Sequence, residues 1–149
     1  MKLTTYILII IALVITTACE RIVLIELDEL PAVSQRFIEN NFSDTKINTV
    51  EKLRGEPRYR VRLINDIMIW FYKDGDWQKV ERPNEVLSLH LLNNLLPSNI
   101  IAYLIGNHSD TGAISVWKSS HGYNIILNTR PDIIIKFDNN GYIISDSEY

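Results

Sequence analysis

The chain has 149 residues, and its 15 basic and 18 acidic side chains give a formal net charge of −3. This acidic balance argues against a nucleic-acid partner, which needs a basic face, and leaves no polybasic stretch for anionic lipid. The single cysteine cannot form an internal disulfide, so an exported form of the chain must be stable without one.

The first predicted element is a leader over residues 1–18. Lys2 gives a positive start, residues 3–15 are almost wholly apolar, and small residues precede Cys19. This order is typical of a secretory signal. It resembles a bacterial lipoprotein signal, in which the cysteine is lipidated and becomes the mature N-terminus. We therefore expect an envelope protein anchored by lipid on Cys19 and facing the periplasm or the cell surface. Two alternatives stay open, an uncleaved membrane anchor and a cleaved signal with a free Cys19.

The rest of the chain is predicted to contain an internal repeat. At an offset of 66 residues, Phe71 corresponds to Phe137 and Gly75 to Gly141. The predicted organisation is a tether over 19–29, repeat one over 30–80, a linker over 81–95 and repeat two over 96–149. Residues 86–95 of the linker could form a short helix or an extended crossover.

Each repeat is predicted to form one helix, beginning at a Leu-Pro pair, followed by four strands. Proline is accepted in a first helical turn, and Asp-Gly or Asn-Gly favours a hairpin turn. The predicted strands are 46–53, 58–63, 67–72 and 76–80 in repeat one, and 113–118, 123–127, 132–137 and 142–145 in repeat two. The predicted fold class is therefore α+β: two tandem repeats of one helix plus a four-stranded antiparallel sheet, with the helices packed on one sheet face.

Alternation along the strands predicts which side chains point away from the core. Ile67, Ile69 and Phe71 are expected to face the helices, as are their counterparts in repeat two. The side chains expected on the opposite face are rich in Trp, Tyr, Met and Arg, the composition of a protein-binding hot spot. These predicted partner-binding residues are Met68, Trp70, Tyr72, Arg60, Arg62 and Trp117. Alternatively, residues 22–27 could cover this patch, or it could form the seam between the repeats.

Motifs for catalysis or metal binding are weak in this sequence. His90, His108 and His121 form no pair with ligand spacing on one element, so no metal site is expected. Ser120 lies beside His121, but adjacent residues on a tight turn rarely face each other, which argues against a catalytic triad. Residues 138–141 look like part of a calcium loop but lack the distal glutamate, so a turn is the better interpretation. No phosphate or dinucleotide motif is present, and no cofactor is expected.

Several of these segments together resemble a known family. The segments are Leu30-Pro31-Ala32, Val50-Glu51-Lys52, Tyr59-Arg60-Val61-Arg62-Leu63 and Phe71-Tyr72-Lys73-Asp74-Gly75-Asp76-Trp77, with looser counterparts over 123–127 and 137–141. In this order they resemble the PepSY-like lipoproteins of Bacteroidetes, which are related in fold to the β-lactamase-inhibitor proteins. The resemblance implies helices on one side of a curved antiparallel sheet. It also implies an exported binding or inhibitory protein rather than an enzyme, and it carries over no functional residues.

The sequence thus favours a non-enzymatic exported lipoprotein that binds or inhibits an envelope protein through the open face of its sheet. A second hypothesis gives the same aromatic face a small amphipathic ligand or a glycan, which would stack on Trp70 and Tyr72. A third, a hydrolase, would need a concave site with perturbed titrating groups, and the sequence shows no such constellation.

Overall fold

The computed structural model describes residues 22–148, so the predicted leader and Cys19 lie outside the described residues. The elements within this range are β1 (Val23–Leu24), a 3₁₀ helix (Leu27–Glu29), α1 (Ala32–Phe42), β2 (Ile47–Lys52), β3 (Tyr59–Leu63), β4 (Met68–Phe71), β5 (Trp77–Glu81), α2 (Leu89–Leu95), α3 (Ser98–Asn107), β6 (Ala113–Ser119), β7 (Gly122–Leu127), β8 (Ile133–Phe137) and β9 (Ile143–Glu148). None of the helices in this range has the length and apolarity needed to cross a bilayer.

The strands form one nine-stranded antiparallel sheet in chain order, from β1 to β9. The prediction of two four-stranded repeats is therefore wrong. β5 pairs directly with β6, with Lys79 opposite Trp117 and Val80 opposite Val116. This pairing satisfies backbone groups that would otherwise be unpaired on the edges of two smaller sheets. A ninth strand, β1, comes from the predicted tether and pairs with β2 at one sheet edge.

The linker between β5 and α3 contains a short helix, which decides the alternative that the sequence left open. Ser88 precedes α2, and its hydroxyl accepts a hydrogen bond from the backbone N–H of Leu91 at 3.2 Å. Such a cap satisfies one of the free donors at a helix start. Leu91, Leu92 and Leu95 then bury the apolar side of the helix. The described residues therefore contain three α-helices rather than two.

The core lies between the helices and one face of the sheet. α1 buries Ile38 and Phe42, which lie one turn apart, and its Phe37 ring meets Phe71 of β4 edge-on at 5.6 Å. Tyr103 of α3 meets Phe137 of β8 edge-on at 5.4 Å. The buried sheet residues alternate along each strand: Val61, Leu63, Ile69, Phe71, Val80, Val116, Ile125, Leu127, Ile135 and Phe137. All of them point toward the helices, which leaves the opposite side of the sheet for other contacts.

Candidate functional site: the open face of the sheet

The open face is the side of the sheet opposite the helices, and its side chains lie in rows that cross the strands. The central row runs Glu51, Arg60, Trp70, Lys79, Trp117, Asn124, Lys136 and Ser145. The second row runs Thr49, Arg62, Met68, Glu81, Ser115, Ile126, Ile134 and Ser147. Five of the six predicted partner-binding residues therefore lie in two adjacent rows. Tyr72, the sixth, follows the end of β4.

The β2–β5 half of the open face is occupied by side chains that contact one another. Arg60 Nε donates to Glu51 Oε2 at 2.5 Å, and Glu51 is only 8% exposed. Lys79 Nζ lies 4.9 Å from the centre of the Trp70 ring and also pairs with Glu81. These contacts pair the charges of Arg60 and Lys79 and partly cover Trp70, which leaves less of the predicted patch free than its composition suggests.

Tyr72 also makes a specific contact within the molecule. Its hydroxyl donates to the backbone carbonyl of Lys118 at 3.2 Å, so the side chain extends from the end of β4 to β6. β5 lies between these two strands in the sheet. The side chain therefore links the two halves of the sheet, and its hydroxyl already has a partner.

Trp117 is the predicted residue that remains most accessible. Its exposure is 47%, whereas the preceding residue, Val116, is fully buried. A groove of about 530 Å³ adjoins Trp117. Its lining residues come from or lie next to β6, β7 and β8: Trp117, Asn124, Ile126, Asp132, Ile134 and Lys136. The open face therefore has a concave, partly apolar region next to an exposed indole.

Five of these six lining residues were not predicted from the sequence, although a signal was present. Residues 133–135 are three consecutive isoleucines, and strand alternation must send one of them away from the core. Ile135 is buried, so Ile134 lies on the open face. In the same way Ile125 is buried and Ile126 faces the groove. Adjacent apolar residues in a strand point to opposite faces of the sheet, so these isoleucine pairs indicated that the open face also has an apolar region.

The groove carries two charges of opposite sign. Lys136 lies in the central row, and Asp132 immediately precedes β8, so the two are separated along the strand by Ile134 and its neighbours. Both side chains are exposed. Within residues 22–147, neither takes part in an ion pair. The groove thus differs from the β2–β5 half, where Arg60 and Lys79 have carboxylate partners.

A smaller cavity of about 330 Å³ lies on the helical side, among the linker, α2 and α3. Ile105 and Leu92 contribute to its apolar lining, and His108 also borders it. His108 Nε2 lies 3.8 Å from Asp146 Oδ2 of β9. Burial, and to a smaller extent the charge of Asp146, raises the pKa of the neighbouring Tyr103. None of the residues that line this cavity belongs to the two rows of the open face.

The remaining histidines do not form a catalytic arrangement. His121 Nδ1 and Ser120 Oγ lie 3.0 Å apart, so the expectation that these adjacent residues do not face each other is wrong. Both residues are exposed, and the ion pairs within residues 22–147 include no acidic partner for His121. The same part of the chain contains no group of three or more His, Cys, Asp or Glu residues placed to hold a metal ion.

The chain matches one family model, and its fold is similar to that of Bacteroides proteins described as periplasmic. The family described as β-lactamase-inhibitor-like, PepSY-like matches residues 16–68 and 57–145. No curated protein matches the chain.

Solved structures with a similar fold include three Bacteroides proteins. One, from Bacteroides thetaiotaomicron, is described as a calcium-regulated periplasmic protein; it is 22% identical, covers 85% of this chain and 97% of its own, and has a TM-score of 0.75. Two periplasmic proteins of Bacteroides vulgatus are similar as well. One is 20% identical, covers 86% of this chain and 100% of its own, and has a TM-score of 0.74. The other is 23% identical, covers 88% of this chain and 100% of its own, and has a TM-score of 0.73.

Proposed function

The chain belongs to the PepSY-like family, and from this premise we propose that it is an exported, non-enzymatic protein that binds or inhibits an envelope protein through the open face of its sheet. The observation that carries the proposal is Trp117, which is 47% exposed beside the groove. Tryptophan is strongly enriched among the residues that dominate binding energy. An apolar groove next to an exposed indole is typical of an interaction site.

The periplasmic relatives and the leader support an envelope location. We propose that lipid on Cys19 anchors the protein in a membrane. If so, Cys19→Ala should move the protein from the membrane fraction to the soluble fraction, and the mass of its N-terminal peptide should lose the lipid. A variant that stays in the membrane fraction would indicate an uncleaved apolar anchor instead.

A capture experiment from envelope extract tests the binding proposal. Wild-type protein is compared with Trp117→Ala and with Ile105→Ala, a control that truncates a 53% exposed side chain on the helical side. We expect one envelope protein to be retained by wild type and by the control but lost with Trp117→Ala. If Trp117→Ala is folded and retains the same proteins as wild type, the open face is not the interaction site.

A small amphipathic ligand or a glycan is the second candidate, favoured by the size of the groove. Its volume of about 530 Å³ lies within the roughly 300–1,000 Å³ typical of small-molecule sites. This candidate predicts that Trp117 fluorescence responds to a purified envelope glycan while no protein is captured. A protein captured in a Trp117-dependent way, without a fluorescence response to glycans, would favour the first candidate.

A further inference from the structure

The groove beside Trp117 has a charge pattern that specifies a partner. Asp132 immediately precedes β8 and Lys136 lies within it, so the two residues are four positions apart along the same extended segment. At about 3.3 Å per residue, their backbone positions are separated by roughly 13 Å. Ile134 lies midway between them, and its cross-strand neighbour Ile126 faces the same groove. The groove therefore presents a positive end, an apolar middle and a negative end.

We propose that this groove binds an extended peptide segment of the partner, in which an acidic and a basic residue are four positions apart and an apolar residue lies between them. The inference rests on the proposed function and specifies its ligand. An extended peptide aligned with β8 has the same rise per residue as the strand, so its alternate side chains point to one side with a matching spacing. The acidic side chain meets Lys136, the apolar one packs on Ile134, and the basic one meets Asp132.

The two charges of the groove can make these contacts because no ion-pair partner among residues 22–147 competes for them. Neither Lys136 nor Asp132 forms an ion pair within residues 22–147, whereas Lys79 and Arg60 in the other half of the face are paired. Opposite charges brought to the groove therefore do not have to displace an internal carboxylate or ammonium group. Trp117 forms one flank of the groove and supplies apolar contact area.

Selection from a phage-displayed random heptapeptide library tests the inference. The full-length protein is purified from the envelope fraction in mild detergent and compared with Lys136→Glu, Asp132→Lys and the control Lys73→Glu, which reverses an exposed charge on the β4–β5 turn. Wild type and the control should enrich an acidic, an apolar and a basic residue at alternate positions. With Lys136→Glu, the selected peptides should carry a basic residue in place of the acidic one. With Asp132→Lys, they should carry an acidic residue in place of the basic one. These expectations hold whichever way the peptide runs.

Titration of the enriched peptide, synthesised free, measures the size of the effect. Lys136→Glu should weaken its binding by about fivefold, as expected for loss of one exposed ion pair. Enrichment without the four-residue charge spacing, or an unchanged preference in Lys136→Glu, would overturn the inference. So would self-association of the protein in place of peptide binding, which would assign the groove to a second copy. In each case Trp117-dependent capture from envelope extract, if it persists, leaves the proposed function standing.

Discussion

Gly75, in the turn between β4 and β5, is the position where the fold can be tested most directly. Its φ of +92° is one that residues with a side chain rarely adopt, and an added Cβ would lie 2.6 Å from Pro31 Cβ. Ser34, which is fully buried in the first turn of α1, donates its hydroxyl to the Gly75 carbonyl oxygen at 2.9 Å. The start of α1 therefore packs directly on this turn, and the helix should be sensitive to any atom added there.

Comparing Gly75→Ala with Gly55→Ala separates this packing from backbone strain. Gly55 has a φ of +117°, but an added Cβ would meet nothing within 4 Å. Both substitutions should cost about 1–2 kcal/mol of unfolding free energy for the unfavourable φ. Gly75→Ala should lose about 1–3 kcal/mol more, because Pro31 must move away from the new methyl group. The expected totals are about 1–2 kcal/mol for Gly55→Ala and about 2–5 kcal/mol for Gly75→Ala.

Equilibrium urea unfolding of the purified protein and both variants measures these losses. The slope of the unfolding free energy against urea concentration should be the same for all three proteins. The difference between their midpoints then reports the change in stability alone. Equal losses for the two variants would refute the reasoning, because they would mean that α1 shifts away from the turn at negligible cost.

Three further predictions concern α3, the open face and the cavity on the helical side. Gly106→Ala in α3 should raise the unfolding free energy by about 0.5–1 kcal/mol, since nothing lies within 4 Å of the added Cβ; no gain in melting temperature would contradict this. Lys79→Ala should uncover Trp70, raising its quenching by acrylamide and costing about 0.5–1 kcal/mol; unchanged quenching would mean that Lys79 does not shield the ring. The pKa of Tyr103 is raised above its ordinary value of 10.0 in the folded state, so the folded state holds the phenol proton more tightly than the unfolded state. Stability should therefore fall as the pH rises above about 10 through the folded pKa, and Tyr103→Phe should show a smaller loss over that range in thermal melts.

The burial pattern was the part of the fold that the sequence predicted well. Alternation placed Ile67, Ile69 and Phe71 toward the core, and all three are buried. It also placed Trp117 on the opposite face, and the 47% exposure of Trp117 agrees with this. These predictions succeed because the side-chain period of a strand depends only on local backbone geometry.

Strand pairing between β5 and β6 could not be predicted in the same way. The inward residues Val80 and Val116 would alternate identically whether their strands were neighbours or lay at the edges of two separate sheets. Whether β5 and β6 pair depends on the segment between Glu81 and Ala113, where α2 and α3 bring β6 back beside β5. Helix α2 has only seven residues and no distinctive periodicity, so the sequence alone left residues 86–95 of this segment undecided.

Residue composition alone also could not identify which part of the open face is available to a partner. Tryptophan and arginine are both enriched among hot-spot residues, so residue type does not distinguish Trp70, Arg60 and Trp117. Their partners differ, however: Arg60 is paired with Glu51 and Trp70 is covered by Lys79, whereas Trp117 stays exposed. A charge that is already neutralised within the protein gains little from a new partner, because the existing pair must first be broken and desolvated.

The β6–β8 half of the face, where the groove lies, differs in its side chains from the β2–β5 half. In the central row, the positions beyond Trp117 are Asn124 and Lys136, and the second row there holds Ile126 and Ile134. No carboxylate lies directly opposite Lys136 in its row, because its neighbours are Asn124 and Ser145. The ammonium group therefore remains available at the rim of an apolar surface. A partner that supplies the missing carboxylate would gain an ion pair without breaking one, and for this reason we propose the β6–β8 half as the binding region.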